Sequence, residues 1–242
     1  MDDLIVIIAA AGLSRRMKSP VNKAFLELDG ESVIRRTVKL FLKIQEVKQL
    51  YIMVAEKELA AMEAHLADLT ETSGKLVLVK GGSSRQESVG LGLSYIANHY
   101  FSGANQGKED RTVCLVHDGA RCLVRLDSIR RCIKLISEGG QGSALAVPVT
   151  DTIHQVGPGG EVVASPDRTS LVACQTPQGA LFSQLRAAYL KAELDGFQGT
   201  DDISLLSHAG IAVQICPGER DNIKITHPED LAVAEKLLEK LS

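Results

Sequence analysis

Residues Leu4 to Phe25 read LIVIIAAAGLSRRMKSPVNKAF, and the fold is decided there. Leu4 to Ile8 is an unbroken apolar run, the pattern of a strand buried on both faces of a parallel sheet. The small residues Ala9, Ala10, Ala11 and Gly12 follow, and they let a ligand approach the backbone closely. Arg15, Arg16 and, beyond Pro20, Lys23 then place positive charge where the chain leaves the sheet. That order suits a phosphorylated ligand at the carboxyl end of a parallel strand. The plainer alternative is a buried strand with a solvated basic loop. Two phosphate motifs are excluded. No G-x-x-x-x-G-K-[ST] occurs, so this is not a P-loop. Gly12 stands alone, without the G-x-G-x-x-G of a dinucleotide-binding dehydrogenase.

Outward from this stretch, helix and strand periodicities alternate. Residues 32–44 carry Val33, Ile34, Val38, Phe41 and Leu42 at helical spacing, 50–54 reads as a strand, 58–69 as a helix and 76–79 as a third strand. This β-α-β-α-β rhythm predicts a mostly parallel sheet with right-handed crossovers. Gly81 to Ser88 (GGSSRQES) joins strand to helix, with a capping box from Ser83 and Gln86 or from Ser84 and Glu87. Free N–H groups at such a helix start attract anions or base edges. A fourth strand, 113–116, ends in His117-Asp118-Gly119-Ala120-Arg121. Asp118 there can bind Mg²⁺ or a ribose, and Arg121 can bind an anion through its fork. His117 reads as structural.

Asp127 is expected to cap a helix to 136, and 144–149 forms a fifth strand. The rhythm then breaks. Residues 150–178 alternate β-prone side chains around Gly157-Pro158-Gly159-Gly160, which predicts a projecting β-hairpin. Its open edges call for a cover, and a symmetric partner supplies one, so the arm, about 149–172, is expected to make a homodimer. Helices are expected over 180–193 and near Thr200-Asp201-Asp202, with Thr200 as N-cap. A strand follows at 211–215, then Asp221 to Thr226 with Lys224 set between Ile223 and Ile225, then a last helix capped by Thr226 and Glu229. The whole reads as one domain, 1–242, with neither repeats nor a linker.

Composition narrows the class. The chain has 242 residues, a net charge of −3 and 45% hydrophobic residues, enough for a sizeable α/β core. The five cysteines include no C-x-x-C pair, which argues against a zinc site or disulfide framework. The charge balance disfavours nucleic acid as main partner. No run is long enough to span a membrane, and the Met1-Asp2-Asp3 start lacks a basic signal region, so a cytoplasmic protein is expected.

The ordered set of motifs resembles a known family. Ala10-Ala11-Gly12-Leu13-Ser14-Arg15-Arg16-Met17 with Lys23 resembles the A-A-G-x-G-x-R-M…P-K signature of sugar-phosphate nucleotidyltransferases. His117 to Arg121, Val149-Thr150-Asp151-Thr152, Asp167-Arg168, Gln175-Thr176-Pro177-Gln178, Thr200-Asp201 and Asp221-Asn222-Ile223-Lys224 follow in the order of the 2-C-methyl-D-erythritol 4-phosphate cytidylyltransferase family. The resemblance implies a Rossmann-like sheet with a dimerising arm, and transfer of CMP from CTP to methylerythritol phosphate with Mg²⁺. It implies that Arg16 and Lys23 stabilise the α-phosphate and that Arg168 and Lys224 position the second substrate. Ala10, Ala11, Gly12, Gly82, Ser88 and Asp118 would hold the nucleotide, Asp118 also the metal, and Arg121, Thr152, Thr176 and Thr200 the polyol phosphate. Thr152 and Arg168 would come from the partner's arm. Three positions depart from the family's usual pattern: Asn22-Lys23-Ala24 for P-K-Q, Ser83 for an acidic residue, and H-D-G-A-R-C for H-D-A-A-R-P. Rival readings are a relative acting on ribitol 5-phosphate, a non-catalytic nucleotide-sugar-binding protein and, least favoured, a dehydrogenase.

Overall fold

A computed structural model describes residues 3–12 and 22–240. The chain begins with β1 (Asp3–Ala9) and passes through the short antiparallel pair β2 (Glu27–Leu28) and β3 (Glu31–Ser32) to α1 (Val33–Leu42). Ser32 caps α1 by accepting the Arg35 amide. Then come β4 (Val47–Val54), α2 (Leu59–Ser73), β5 (Leu76–Lys80), α3 (Arg85–His99), β6 (Thr112–Asp118), α4 (Leu126–Gly139) and β7 (Gly142–Pro148). The arm follows as β8 (Gln155–Val156) and β9 (Val162–Ala164). The chain returns through β10 (Val172–Leu181), α5 (Phe182–Leu194), α6 (Asp202–His208), β11 (Val213–Pro217) and α7 (Pro228–Glu239).

Seven strands make one sheet in the order β11-β7-β10-β6-β1-β4-β5. Every neighbouring pair is parallel except β10, which lies antiparallel between β6 and β7. Successive residues of β1 feed opposite layers, as a strand's period of two demands. Leu4, Val6 and Ile8 pack with Ile34, Val38, Phe41 and Ile129, whereas Ile5 and Ile7 pack with Val89, Leu93, Ile96 and Phe182. A sheet covered by helices on both faces therefore needs apolar residues at every position of its central strand. A smaller cluster of Leu28, Val33, Ala120, Leu123, Ile225 and Ala234 seats α7 beside β2. Crossovers leave β1 towards β4 on one side and β6 lies on the other, so the sheet's switch point falls between the ends of β1 and β6.

Several expectations are corrected. The hairpin is shorter than 150–178, because 172–181 returns to the main sheet as β10. Residues 221–226, where Ile223 and Ile225 flank Lys224, cross the edge of the switch point as irregular chain. Helix caps shift by one or two residues. Arg125, not Asp127, precedes α4; Asp201, not Thr200, caps α6 by accepting the Ser204 amide; and Asp230, not Glu229, accepts the Thr226 and His227 amides before α7. At α6 and α7 adjacent residues offer similar capping side chains and the backbone path decides between them, whereas α4 starts after Arg125 with no side-chain cap.

Candidate active site

The loops after β1, β5 and β6 and the 221–226 segment enclose a cleft of about 680 Å³. Its floor is the Ala9–Gly12 turn against Gly81. A Cβ at Gly81 would stand 2.5 Å from that of Ala11, so only glycine lets these two turns meet. The Gly82 amide donates to Ser88 Oγ at 3.0 Å, and that hydroxyl donates to the Ser84 carbonyl at 2.7 Å. Ser84 is the cap that forms, accepting the Glu87 amide at 3.0 Å. Glu87 turns its carboxylate to the Ser83 amide and hydroxyl, and these bonds hold it below its ordinary acidity range.

Asp118, at the end of β6, is the electrostatic centre. It is 6% exposed, and three cations converge on it. Lys224 Nζ lies 2.7 Å from Oδ2, Arg121 Nε 3.5 Å from Oδ2, and Arg85 Nε 3.3 Å from Oδ1. Burial pushes the carboxyl upward, yet the fields of Arg85, Lys224 and Arg121 outweigh it and hold Asp118 well below the usual carboxylate range. Arg85 is fixed from behind by Asp202, which is fully buried. Its guanidinium donates to both Asp202 oxygens at 3.1 and 2.6 Å, and the Tyr189 hydroxyl donates to Oδ1 at 2.6 Å.

A buried relay sets the carboxylate's backbone. The Arg121 carbonyl only accepts, so the His117 Nε2 facing it at 3.0 Å carries the ring proton. His117 Nδ1 then accepts from the Thr176 hydroxyl at 3.0 Å, and that oxygen accepts the Asp118 amide at 3.0 Å. Burial lowers His117 to about 4, which keeps the ring neutral. Arg121 reaches on to the Asn222 carbonyl at 2.7 Å, so the 221–226 segment is tied to the end of β6.

Lys23 lines the cleft from a single 3₁₀ turn and donates to the Ile225 carbonyl at 3.1 Å. The expected residues Ala10, Ala11, Gly12, Lys23, Gly82, Ser88, Asp118 and Lys224 thus share one wall system. Arg121 and Thr176 stand behind it. Thr152 and Arg168 do not line it; both are exposed on the arm, with Arg168 donating to the Thr150 carbonyl at 2.7 Å. Thr200 is exposed just before α6. Arg16 lies outside the described residues. The sequence reading missed Arg85 as a site residue. Its signal was an arginine opening the helix straight after Gly81-Gly82. Its partner Asp202 reads in the sequence as one of two adjacent carboxylates at a capped helix start, able to bind metal or hydroxyls, and not as the partner of an arginine.

An open α/β sheet with a glycine-floored cleft at its switch point, walled by cations about one carboxylate, has the architecture of nucleotidyltransferases. In fold it is similar to the 4-diphosphocytidyl-2C-methyl-D-erythritol synthase of Anaerococcus prevotii. The TM-score is 0.81 at 23% identity, with 98% of this chain and 99% of that chain covered. In sequence, residues 4–240 match the family model for 2-C-methyl-D-erythritol 4-phosphate cytidylyltransferase. The enzymes of that name from Bacillus licheniformis and a Synechococcus strain are 39% and 40% identical to it. These alignments cover 97% and 96% of this chain and 95% and 96% of the relatives. The chain belongs to the 2-C-methyl-D-erythritol 4-phosphate cytidylyltransferase family.

Proposed function

We propose that the chain transfers CMP from CTP to 2-C-methyl-D-erythritol 4-phosphate, releasing pyrophosphate, a step of non-mevalonate isoprenoid precursor synthesis. One observation carries this reading: Lys23 docks on the segment that bears Lys224, and Lys224 docks on Asp118 at the switch point. Two cations from opposite ends of the chain thereby face one cleft. The attacking group is a phosphate oxygen that is already anionic near neutral pH, so no general base is needed. Its bond to the α-phosphorus forms as the bond to the β-phosphate breaks, and pyrophosphate carries away the electron pair. What must be supplied is alignment of two polyanions and stabilisation of charge spreading on phosphorus. We assign Lys23 and Arg16 to the α-phosphate, Lys224 and Arg168 to the second substrate, and the Ala10–Gly12 turn with Gly82 and Ser88 to the nucleotide. Arg121, Thr152, Thr176 and Thr200 are assigned to the surroundings of the polyol phosphate, Thr176 through the relay it anchors.

Asp118 fits a divalent cation as a lone carboxylate ligand. It is ionised, it lines the cleft, and its Oδ1 carries the long Arg85 contact. The described residues offer no cluster of three metal-ligating side chains, so triphosphate oxygens would complete the shell, as Mg²⁺ sites commonly arrange. Bound there, Mg²⁺ would neutralise phosphate charge and ease pyrophosphate departure. No helix among the described residues is long and apolar enough to cross a membrane. We place the reaction in the cytoplasm, the compartment of its nucleotide substrate.

The deciding test measures pyrophosphate release from CTP and Mg²⁺ with methylerythritol phosphate and ribitol 5-phosphate in parallel. Release with methylerythritol phosphate alone is expected; release with ribitol phosphate alone would overturn the substrate. Lys23→Ala should lower turnover by about 10²–10³ while CTP binding holds, the size expected for one fixed charge-stabilising group. Equal loss of binding and turnover would favour a mere nucleotide binder.

We also assign the arm to a homodimer that shares its sites. Val156, Val162 and Val163 are 58%, 59% and 54% exposed on a two-stranded ribbon, an apolar surface that a second copy would cover. If Arg168 serves the partner's cleft, mixing inactive Lys23→Ala and Arg168→Ala chains should restore about a quarter of wild-type activity, because half the dimers are mixed and each has one intact site. No restoration would confine Arg168 to its own chain.

A further inference from the structure

We propose that Asn22 is a positioning residue for Lys23, acting through a clamp onto Glu58; the inference rests on the transferase reading of the cleft. Lys23 opens a turn of only three residues, and such a turn has no intrinsic stability to fix a long flexible side chain. The turn is held from Asn22, which is 7% exposed and extended, with φ −61° and ψ 134°. Its Oδ1 accepts the Ala24 amide at 3.0 Å and closes the turn. Its Nδ2 donates to Glu58 Oε2 at 2.6 Å and lies 3.4 Å from the Gly12 carbonyl.

These contacts join three parts of the cleft. Gly12 ends the floor turn after β1, and Glu58 stands between β4 and α2, just beyond the Ala55-Glu56 lip. Glu58 occupies the N-cap position of α2 without capping it, its carboxylate turned instead to Asn22. A donor on a carboxylate is the stronger kind of hydrogen bond, and near burial makes it costly to leave unmade. The carboxamide thus fixes where the Lys23 backbone stands relative to the floor and the lip. The bond to the Ile225 carbonyl then fixes the far end of the side chain. An ångström-scale displacement of a catalytic group can cost about 10²-fold in rate, so a clamp on backbone position acts on turnover more than on affinity.

The polarity of the bond supplies the test. Asn22→Asp keeps the acceptor for the Ala24 amide, loses the donor and sets two carboxylates face to face. It is expected to lower kcat about 10–100-fold and to leave the KM for CTP within about threefold. Adding Glu58→Gln reverses the bond, amide donating to carboxylate, and should return kcat to within about threefold of wild type. Thermal unfolding of each variant confirms folding. A second readout needs no turnover: the rate of reductive methylation of Lys23 Nζ in nucleotide-free protein, located by mass spectrometry. It should change several-fold in Asn22→Asp and revert in the double variant. Folded Asn22→Asp with wild-type kcat and labelling, or a double variant that is not rescued in either readout, would overturn the clamp. If wild-type protein releases no pyrophosphate, the transferase reading falls while the labelling pattern still judges the clamp.

Discussion

The end of β6 and the arm between β7 and β10 are opposites. At Asp118 every charge has an opposing charge inside the chain: Lys224, Arg121 and Arg85 in front, Asp202 behind Arg85. On the arm, valines stand in water, while the polar contacts are short-range, such as His154 Nδ1 with Ser165 Oγ and Gly157 with Glu161. The first region is held together by ion pairs within one polypeptide. The second spends apolar side chains where nothing among the described residues covers them. The difference teaches that each buried charge at a site meets an opposing one before the substrate arrives, while three cations against two carboxylates leave positive charge for an anionic ligand. A buried cation without its counter-charge costs several kcal/mol, whereas an exposed valine is tolerated.

Asp118→Asn should break the first region most. It removes the charge on which three cations converge, leaves Arg85 and Arg121 facing one another, and should cost about 3–5 kcal/mol of stability. Turnover should fall by about 10²–10³. Urea unfolding and pyrophosphate release check the two parts; a variant of wild-type stability would mean that the cations do not depend on Asp118. A pH titration sharpens the same side. His117 has a folded-state value near 4 against about 6.5 for a free histidine, so below that upper value the unfolded chain binds the proton and the folded chain does not. Stability is therefore intact above about pH 6.5 and drains by about 3 kcal/mol as pH falls towards 4. Asp118 adds its own loss only below about pH 4, where the unfolded chain's carboxyl takes up a proton that the folded one does not. His65 is also lowered, by burial and then by Arg35, and adds to the same slope. His117→Gln should flatten the stability–pH curve over this range; an unchanged slope would exclude the His117 share. The smallest effect belongs to the arm. Val162→Asp should weaken self-association about 10–100-fold, the worth of one buried valine, with the monomer's unfolding midpoint unmoved. Sedimentation at micromolar concentration reads this, and an unchanged dimer would move the interface elsewhere.

Sequence alone exposed those site residues whose chemistry sits at a strand end. Asp118 follows an apolar run, Gly81-Gly82 follow another, and Lys23 follows the first turn, so period and punctuation place them. It did not expose the Arg85–Asp202 pair, because the partners lie on different helices and only the tertiary fold, in which α3 and α6 both pack on α5, brings them together. β10 was hidden for a related reason. Gln175-Thr176-Pro177-Gln178 interrupts its apolar pattern, and its pairing register shifts between Cys174 and Gln178, so the segment reads as part of the projecting hairpin and not as a strand of the main sheet. Residues 221–226 misled in the other direction. Their alternation is real, with Ile225 buried in the α7 cluster and Lys224 turned to Asp118, but among the described residues they pair with no strand.

β10 also sets where the gene can change length. The turn at Gly157–Gly160 is exposed on all but Gly157, and residues added or lost there leave every buried hydrogen bond in place. From Val172 onward that freedom ends. A single inserted residue would carry Thr176 away from the Asp118 amide and Gln178 away from the Asp202 amide, and would turn the buried face of the strand outward. Insertions and deletions among natural variants of this chain should therefore collect on the arm side of that boundary and stop at it.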